Sequence, residues 1–313
     1  MGELMKVLLT GATGFFGKHV QKALSNYELF AVGSKDYDLL EMQQAEAMFR
    51  DIQPQIVVHL AAKVGGILAN KSYPAEFWFK NMLMTTHIWE LSKKYSIDKM
   101  IYIMPGCAYP KTAPSPIKET SLWDGYPDEF PAPGALAKKM GLVASYAYKK
   151  QYGLHSCVLI PANMFGEFDC FDEYNSHVIP ALILKMHKAK KTNTKEITLW
   201  GSGKAIRDFI YAEDVAKCIP TFIENTMYFA GPSYLTNVCN ISTGVGVSIR
   251  ELAETIAQVV EYKGNILWDT SKPEGPLNKI FDNERMKLID LECNTPLIEG
   301  IRKTYQWYIN QYA

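Results

Sequence analysis

The run VLLTGATGFFGKHV, residues 7–20, narrows the choice of folds more than any other stretch of this chain. It places Gly11, Gly14 and Gly17 directly after an apolar strand-like segment and at the start of a helix-like one. Each glycine then has its own reason to lack a side chain. Gly11 permits a tight turn, Gly14 lets the backbone approach a pyrophosphate, and Gly17 allows helix and strand to pack closely. Thr13, Phe15 and Phe16 complete the turn and count with the glycines as cofactor-facing. A glycine triplet alone is weak evidence. Here the flanking elements are in order and a second strand follows after roughly 20 residues, as a dinucleotide-binding unit requires.

The alternation continues. Strand-like segments fall at 6–9, 29–32, 55–60, 100–104 and 156–161, with helix-like segments at 18–25, 43–51, 81–94 and 136–152. This predicts an α/β chain built on a Rossmann-type, doubly wound parallel sheet with helices on both faces. Beyond about residue 165 the pattern becomes irregular, and SKPEGPLNK at 271–279 reads as a loop. We therefore expect a dinucleotide-binding Rossmann domain over 1–165. A smaller C-terminal α/β substrate lobe would span 166–313, interleaved with the last strands of the sheet.

With 33 basic and 33 acidic side chains the chain has no net charge, which argues against the broad positive surface that nucleic-acid binding needs. No apolar run reaches the roughly 18–20 residues of a membrane span. The start MGELMKVLLTGATG leads straight into the first strand, leaving no room for a signal peptide. The cysteines (Cys107, Cys157, Cys170, Cys218, Cys239 and Cys293) are scattered without a CxxC pair. They read as reduced thiols of a cytoplasmic protein, with no structural metal site.

The second strand ends in AVGSKDYDL, residues 31–39. A preference for NAD would place an acid at its tip, on the ribose hydroxyl. Gly33, Ser34 and Lys35 stand there instead, and Ser34 with Lys35 suits a 2′-phosphate, so NADP(H) is expected over NAD. Asp38 and Leu39 fit a loop over the adenine. In HLAA the small Ala61 and Ala62 suit backbone lying against a cofactor, while His59 reads as a core residue.

Five further segments, VVHLAAKVGGILAN, GCAYP, SHVIPALI, LWGSGKAIRDFIY and WDTSKPEG, extend over essentially the whole chain. With them the sequence resembles the GDP-L-fucose synthase family of extended short-chain dehydrogenases/reductases. That family epimerises GDP-4-keto-6-deoxymannose at C3 and C5, then reduces C4 with NADPH. The resemblance implies a GDP-sugar substrate, a sugar-nucleotide-binding C-terminal lobe and a homodimer built on two helices per subunit. It also implies that Pro161, Asn163 and Met164 lie against the cofactor, and that Asn163, Lys185, Trp200, Arg207 and Glu274 hold the substrate. Arg207 suits the diphosphate by its fork of donors, and Lys279 is a weaker phosphate candidate.

The family's reductase centre is a Ser or Thr, a Tyr and a Lys, the last two in YxxxK. PAPGALAKK places Gly134 at the tyrosine position and Lys138 at the lysine, and MPGCAYP places Pro105 at the hydroxyl position. In the family the phenol protonates O4 as hydride reaches C4, while the lysine lowers its pKa and binds the nicotinamide ribose. Glycine has no titratable group, and proline lacks even a backbone N–H. Loss of a general acid costs roughly 10²- to 10⁴-fold. Of the nearby phenols, Tyr146 and Tyr148 lie roughly 12–15 Å beyond Lys138 along a helix, and Tyr126 sits in a loop.

The family's epimerisation pair, a Cys and a His, matches Cys107 and His177. The C4 ketone acidifies protons at C3 and C5, and inversion needs one group to take a proton and another to return one to the opposite face. A thiol and an imidazole suit both tasks. The enolate oxygen at O4 needs a cation or donor, and Lys138 is the group left for it. Three functions fit this pattern. One is an epimerase-type enzyme on a GDP-linked 4-keto sugar with C4 reduction weak or lost. The others are a complete 3,5-epimerase/4-reductase using a substitute acid, and a non-catalytic homologue that binds NADP and a sugar nucleotide. We expect the first, because Cys107, His177 and the substrate-holding residues survive together.

Overall fold

The computed structural model describes residues 4–172, 175–225, 233, 235–272 and 275–312; Glu274 lies outside them. The first half runs β1 (Lys6–Thr10), α1 (Phe15–Ala23), β2 (Glu28–Val32), α2 (Met42–Ile52), β3 (Ile56–His59), α3 (Ile67–Ser72), α4 (Pro74–Lys94), β4 (Lys99–Ile103), α5 (Ala132–Tyr152) and β5 (His155–Pro161). There follow β6 (Asn163–Phe165), α6 (Val178–Lys191), β7 (Glu196–Trp200), β8 (Ile206–Tyr211), α7 (Ala212–Glu224), β9 (Val238–Ile241), β10 (Gly246–Ser248) and α8 (Ile249–Val260). The chain closes with β11 (Asn265–Asp269), β12 (Asn278–Lys279), α9 (Glu284–Lys287) and α10 (Leu297–Tyr312).

The first sheet has the order β2-β1-β3-β4-β5-β9 and is parallel throughout. Val7, Leu8 and Leu9 in β1, and Val57 and Val58 in β3, are fully buried. Helices on both faces explain why these strands read as continuous apolar runs instead of alternating. The order turns back at β1, with β2 on one side and β3 on the other, and open sheets of this kind bind ligands outside the carboxyl ends at that point. Because all six strands point one way, the turns after Thr10, His59, Ile103 and Pro161 emerge along a single edge.

A second apolar cluster, including Ile183, Leu252, Ile256 and Ile301, joins α6, α8 and α10. Beside it lie a sheet of β10-β8-β12, with β6 also on β8, and the pair β7–β11. The chain then crosses back: α7 packs on α1, and β9 pairs with β5. Among the described residues no helix is long and apolar enough to cross a membrane.

Several element limits differ from the sequence reading. α1 starts at Phe15 instead of 18, α4 at Pro74 instead of 81, and α5 at Ala132 instead of 136. In α4 and α5 a proline sits in the first turn. There its missing N–H has no intrahelical acceptor anyway and its fixed φ suits a helix. Gly134 therefore lies inside α5, not in the loop before it. In SKPEGPLNK, Asn278 and Lys279 form β12 instead of loop, because they pair with Ile206 and Arg207 of β8.

Candidate active site

The glycine turn is closely packed. Gly11 takes φ +71°, and a Cβ there would stand 2.7 Å from the backbone nitrogen of Ala61. At Gly17 a Cβ would stand 2.3 Å from the carbonyl oxygen of Gly11. Gly14 is the N-cap of α1, extended at φ −77° and ψ 174°, and no side chain caps the helix. The first N–H groups of α1 thus lack intrahelical or capping partners, the arrangement that receives a phosphate.

Gly17→Ala is expected to cost about 3 kcal/mol or more, because the clashing atoms are backbone and cannot move aside. Gly134→Ala should have the opposite sign. Its Cβ meets Phe77 and Asn81 at ordinary distances of 3.4–3.6 Å, so the gain in helix propensity, about 1 kcal/mol or less, is not offset. Thermal denaturation of the two variants checks both signs.

At the tip of β2 the Gly33 N–H donates to Asp36 Oδ2 at 2.8 Å, which engages that carboxylate in the turn itself. Ser34 and Lys35 are exposed beside it. Asp38 is spent locally as well, accepting from the Leu40 N–H at 2.9 Å, and Leu39 is buried in the core. The Ala61 N–H points at Thr10 Oγ1, 3.5 Å away.

Position 134 faces α4. A Cβ there would lie 3.4 Å from Phe77 Cβ and Cδ1 and 3.6 Å from Asn81 Nδ2. Asn81 is itself fully used: its Oδ1 accepts from the Lys63 N–H at 2.9 Å, and its Nδ2 donates to the carbonyls of Lys63 and Phe77. One turn on, Lys138 is 4% exposed, its Nζ has no hydrogen-bond partner, and it sits 4.2 Å from the centroid of the Tyr102 ring. Burial brings this amine down to about 7. Pro105 caps the short 3₁₀ turn Gly106–Ala108 and offers no hydroxyl.

Nearby phenols are committed elsewhere. Tyr102 shares its hydroxyl with Thr85 and donates to the Lys138 carbonyl. Tyr109 donates to Asn240 and Tyr148 to Glu90. Tyr126 is 66% exposed.

Cys107 is half-buried on the 3₁₀ turn. Burial pushes its thiol up, the Lys279 ammonium pulls the other way, and the Asp128 carboxylate pushes it further up. Gly106 explains how the turn comes so near β12. A Cβ there would strike Phe281 at 2.6 Å and approach the Pro161 carbonyl at 3.3 Å. Lys279 is paired in register with Arg207 on β8. Its own amine is lowered by burial first, with Arg207 adding to the effect and Cys107 opposing it.

His177 is the N-cap of α6, with its side chain half exposed. Nδ1 lies 3.4 Å from Oδ1 of Asp169, a carboxylate that is 3% exposed. That hydrogen bond raises the imidazole pKa, against the opposing effect of burial. Asp169 also accepts from the Cys170 N–H at 2.8 Å, while its Oδ2 is buried without a partner. The preceding Phe168 has φ +68°, a costly conformation for a side chain of its size. Its ring is held edge-on by His19 and Trp307. No hydrogen bond or ion pair joins Cys107 to His177 among the described residues.

The substrate candidates separate into two groups. Asn163 Nδ2 donates to the Asp208 carbonyl at 2.8 Å, beside Arg207, whose Nη1 donates to the carbonyls of Ile206 and Pro276. Lys279 belongs with this group. Lys185 donates to the Thr198 carbonyl of β7, and Trp200, 55% exposed, ends that strand. Met164 is half-buried against the main core. Sequence reading passed over Asp169, and no periodicity or motif links it to His177. It also took His59 as a satisfied core residue, whereas only Nδ1 is satisfied, by Thr10 Oγ1 at 2.8 Å, and Nε2 has no partner.

The sequence model of the NAD dependent epimerase/dehydratase family matches residues 7–234. The chain is 34% identical to the probable GDP-L-fucose synthase 1 of Oryza sativa subsp. japonica, covering 97% of this chain and 92% of that protein. It is also 34% identical to GDP-L-colitose synthase of Yersinia pseudotuberculosis, over 98% and 99% of the two chains. Its fold matches the crystal structure of a GDP-L-fucose synthetase from Naegleria fowleri bound to NADP with a TM-score of 0.89, at 28% identity and covering 100% and 96%.

Proposed function

We propose, for a chain that belongs to the NAD dependent epimerase/dehydratase family and within it to the GDP-L-fucose synthase group, that it epimerises a GDP-linked 4-keto sugar. Cys107 and His177 move the protons at C3 and C5, and reduction at C4 is weak or lost. One observation carries this reading. Both proton-transfer groups are present with charged neighbours that tune them, while positions 105 and 134 present no titratable atom.

The imidazole is the better defined of the two. With Nδ1–H donated to Asp169, Nε2 is left to take or return a proton, and the carboxylate stabilises the imidazolium that results. The thiol works beside the Lys279 ammonium, which favours its ionised form. Inversion withdraws and returns protons on opposite faces, so the two groups would act from either side of the sugar ring. Arg207 and Lys279, adjacent on β8 and β12, suit the diphosphate.

The glycine turn, the uncapped start of α1 and the exposed Ser34 and Lys35 fit NADP(H), which when bound would supply hydride for C4. With Asp36 turned onto its own backbone, no acid competes for the 2′-position. A homodimer through α4 and α5 is supported by the exposure of Trp78, Phe79, Val143 and Tyr146 on those helices.

The test is incubation with a GDP-4-keto-6-deoxyhexose in deuterated water, with and without NADPH. Deuterium is expected at C3 or C5, and NADPH oxidation should run at least ~10²-fold slower than exchange. Nucleotide binding without any deuterium incorporation would favour the non-catalytic reading and end this one.

A further inference from the structure

Two buried nitrogens near the carboxyl edge of the first sheet have no hydrogen-bond partner: Nζ of Lys138 and Nε2 of His59. Both side chains lie against Tyr102. The ammonium is 4.2 Å from the ring centroid, and the imidazole stacks on the ring at 5.5 Å with an interplanar angle of 26°. Thr10 Oγ1 engages Nδ1 of His59, so in the tautomer that donates to Thr10 the remaining nitrogen is a buried acceptor. The ammonium of Lys138 is the donor that suits it. Its charge is felt at the imidazole, where it adds to burial in keeping the ring neutral.

Lys138 also stands four residues after Gly134 on α5, so both positions lie on one stripe of the helix. The lysine carries a flexible four-carbon stem, and no side chain at 134 separates it from the place where the family carries its acid.

We propose that Lys138 itself donates the proton to O4 of the bound 4-keto sugar, with His59 as its positioning residue, whose Nε2, not bonded to the amine in this structure, accepts from it once the sugar is in place. This rests on the reading of the site as a nucleotide-sugar enzyme. As the base removes the proton at C3 or C5, the C–H electron pair shifts toward O4. An N–H bond of Lys138 breaks as O4–H forms, leaving an enol and a neutral amine. When the carbon is reprotonated on its other face, the amine takes the proton back from O4 and the ketone returns.

Burial makes the exchange feasible near neutral pH. An amine brought to about 7 populates both forms there, whereas an ordinary lysine, at about 10.4, would hold its proton. The face of Tyr102 offers the ammonium a site without competing for its N–H groups.

The experiment follows the ε-carbon and ζ-nitrogen resonances of isotopically labelled lysine with pH, alongside solvent-deuterium exchange at C3 and C5. The Lys138 signal, assigned by its loss in Lys138→Met, is expected to titrate near neutral. With a GDP-4-keto-6-deoxyhexose bound it should titrate about one unit lower in His59→Leu, which removes the acceptor. His59→Gln keeps an acceptor and should hold the midpoint, which separates a positioning role from general packing. Exchange should fall at least ~10²-fold in Lys138→Met, and also in Lys138→Arg, since guanidinium holds charge but does not release its proton. A Lys138 midpoint near its ordinary value, or full exchange in Lys138→Arg, would overturn the proposal while leaving Cys107 and His177 in place. No exchange in the wild-type protein would remove both.

Discussion

Replacement of Cys107 by serine is expected to lower hydrogen exchange at C3 and C5 by roughly 10²- to 10⁴-fold, with GDP-sugar affinity unchanged. The two side chains are nearly isosteric, but a hydroxyl ionises far less readily than a thiol. The pH profile of the wild-type protein should carry the signature of the pair. Burial raises the Cys107 thiol, so its ionised form appears at higher pH than for a free cysteine. The hydrogen bond to Asp169 raises His177, so its charged form persists above the ordinary imidazole range. A base and an acid working together need one group protonated and the other not. The pair alone makes exchange rise through the His177 pKa and fall through that of Cys107, both displaced upward. With Lys138 giving its proton to O4, the fall begins earlier, as that amine loses its proton at about 7. Asp169→Asn removes the charge that raises His177, so the acidic limb should move down. Undiminished exchange in Cys107→Ser would take that thiol out of the mechanism, and a stationary acidic limb would take out the carboxylate.

Gly134→Tyr is expected to raise NADPH oxidation in the presence of a GDP-4-keto-6-deoxyhexose by ~10²-fold or more, because it puts a phenol at the position matched to the tyrosine of YxxxK. The site can accept the first carbon of the new side chain, since Phe77 and Asn81 stand at 3.4 Å or more from it. Lys138, one turn on, is unpartnered and able to lower the phenol's pKa as its charge approaches. Gly134→Phe has the same bulk without the hydroxyl, and should show no gain. Equal rates in the two variants would mean that the missing acid does not limit reduction in this protein.

The Rossmann half was legible because its signals are local. Three glycines at fixed spacing, apolar runs of strand length and small residues at the end of β3 each report on backbone a few residues away. Cys107, His177, Lys138, Pro105 and Gly134 could be put forward for the site from sequence, since each sits within a short recognisable motif. The sequence reading placed the starts of α4 and α5 too late. Proline in the first turn is compatible with a helix, and Gly134 lies inside α5.

Chemistry between distant segments was not legible. Asp169 meets His177 with the left-handed Phe168 just before it, a conformation that has no sequence signature. The charge of Lys279 acts on Cys107 because β12 pairs with β8 and Phe281 packs on Gly106. His59 and Lys138 each come to lie against Tyr102 only after β3, β4 and α5 have assembled. Residue order by itself determined which candidate groups this protein carries and that proline and glycine stand at positions 105 and 134, since covalent identity and local backbone preference travel with the chain. Tertiary packing decided which charges those groups feel and how dry their surroundings are, because burial and Coulomb interaction depend on distance through space, and these partners come from separate elements.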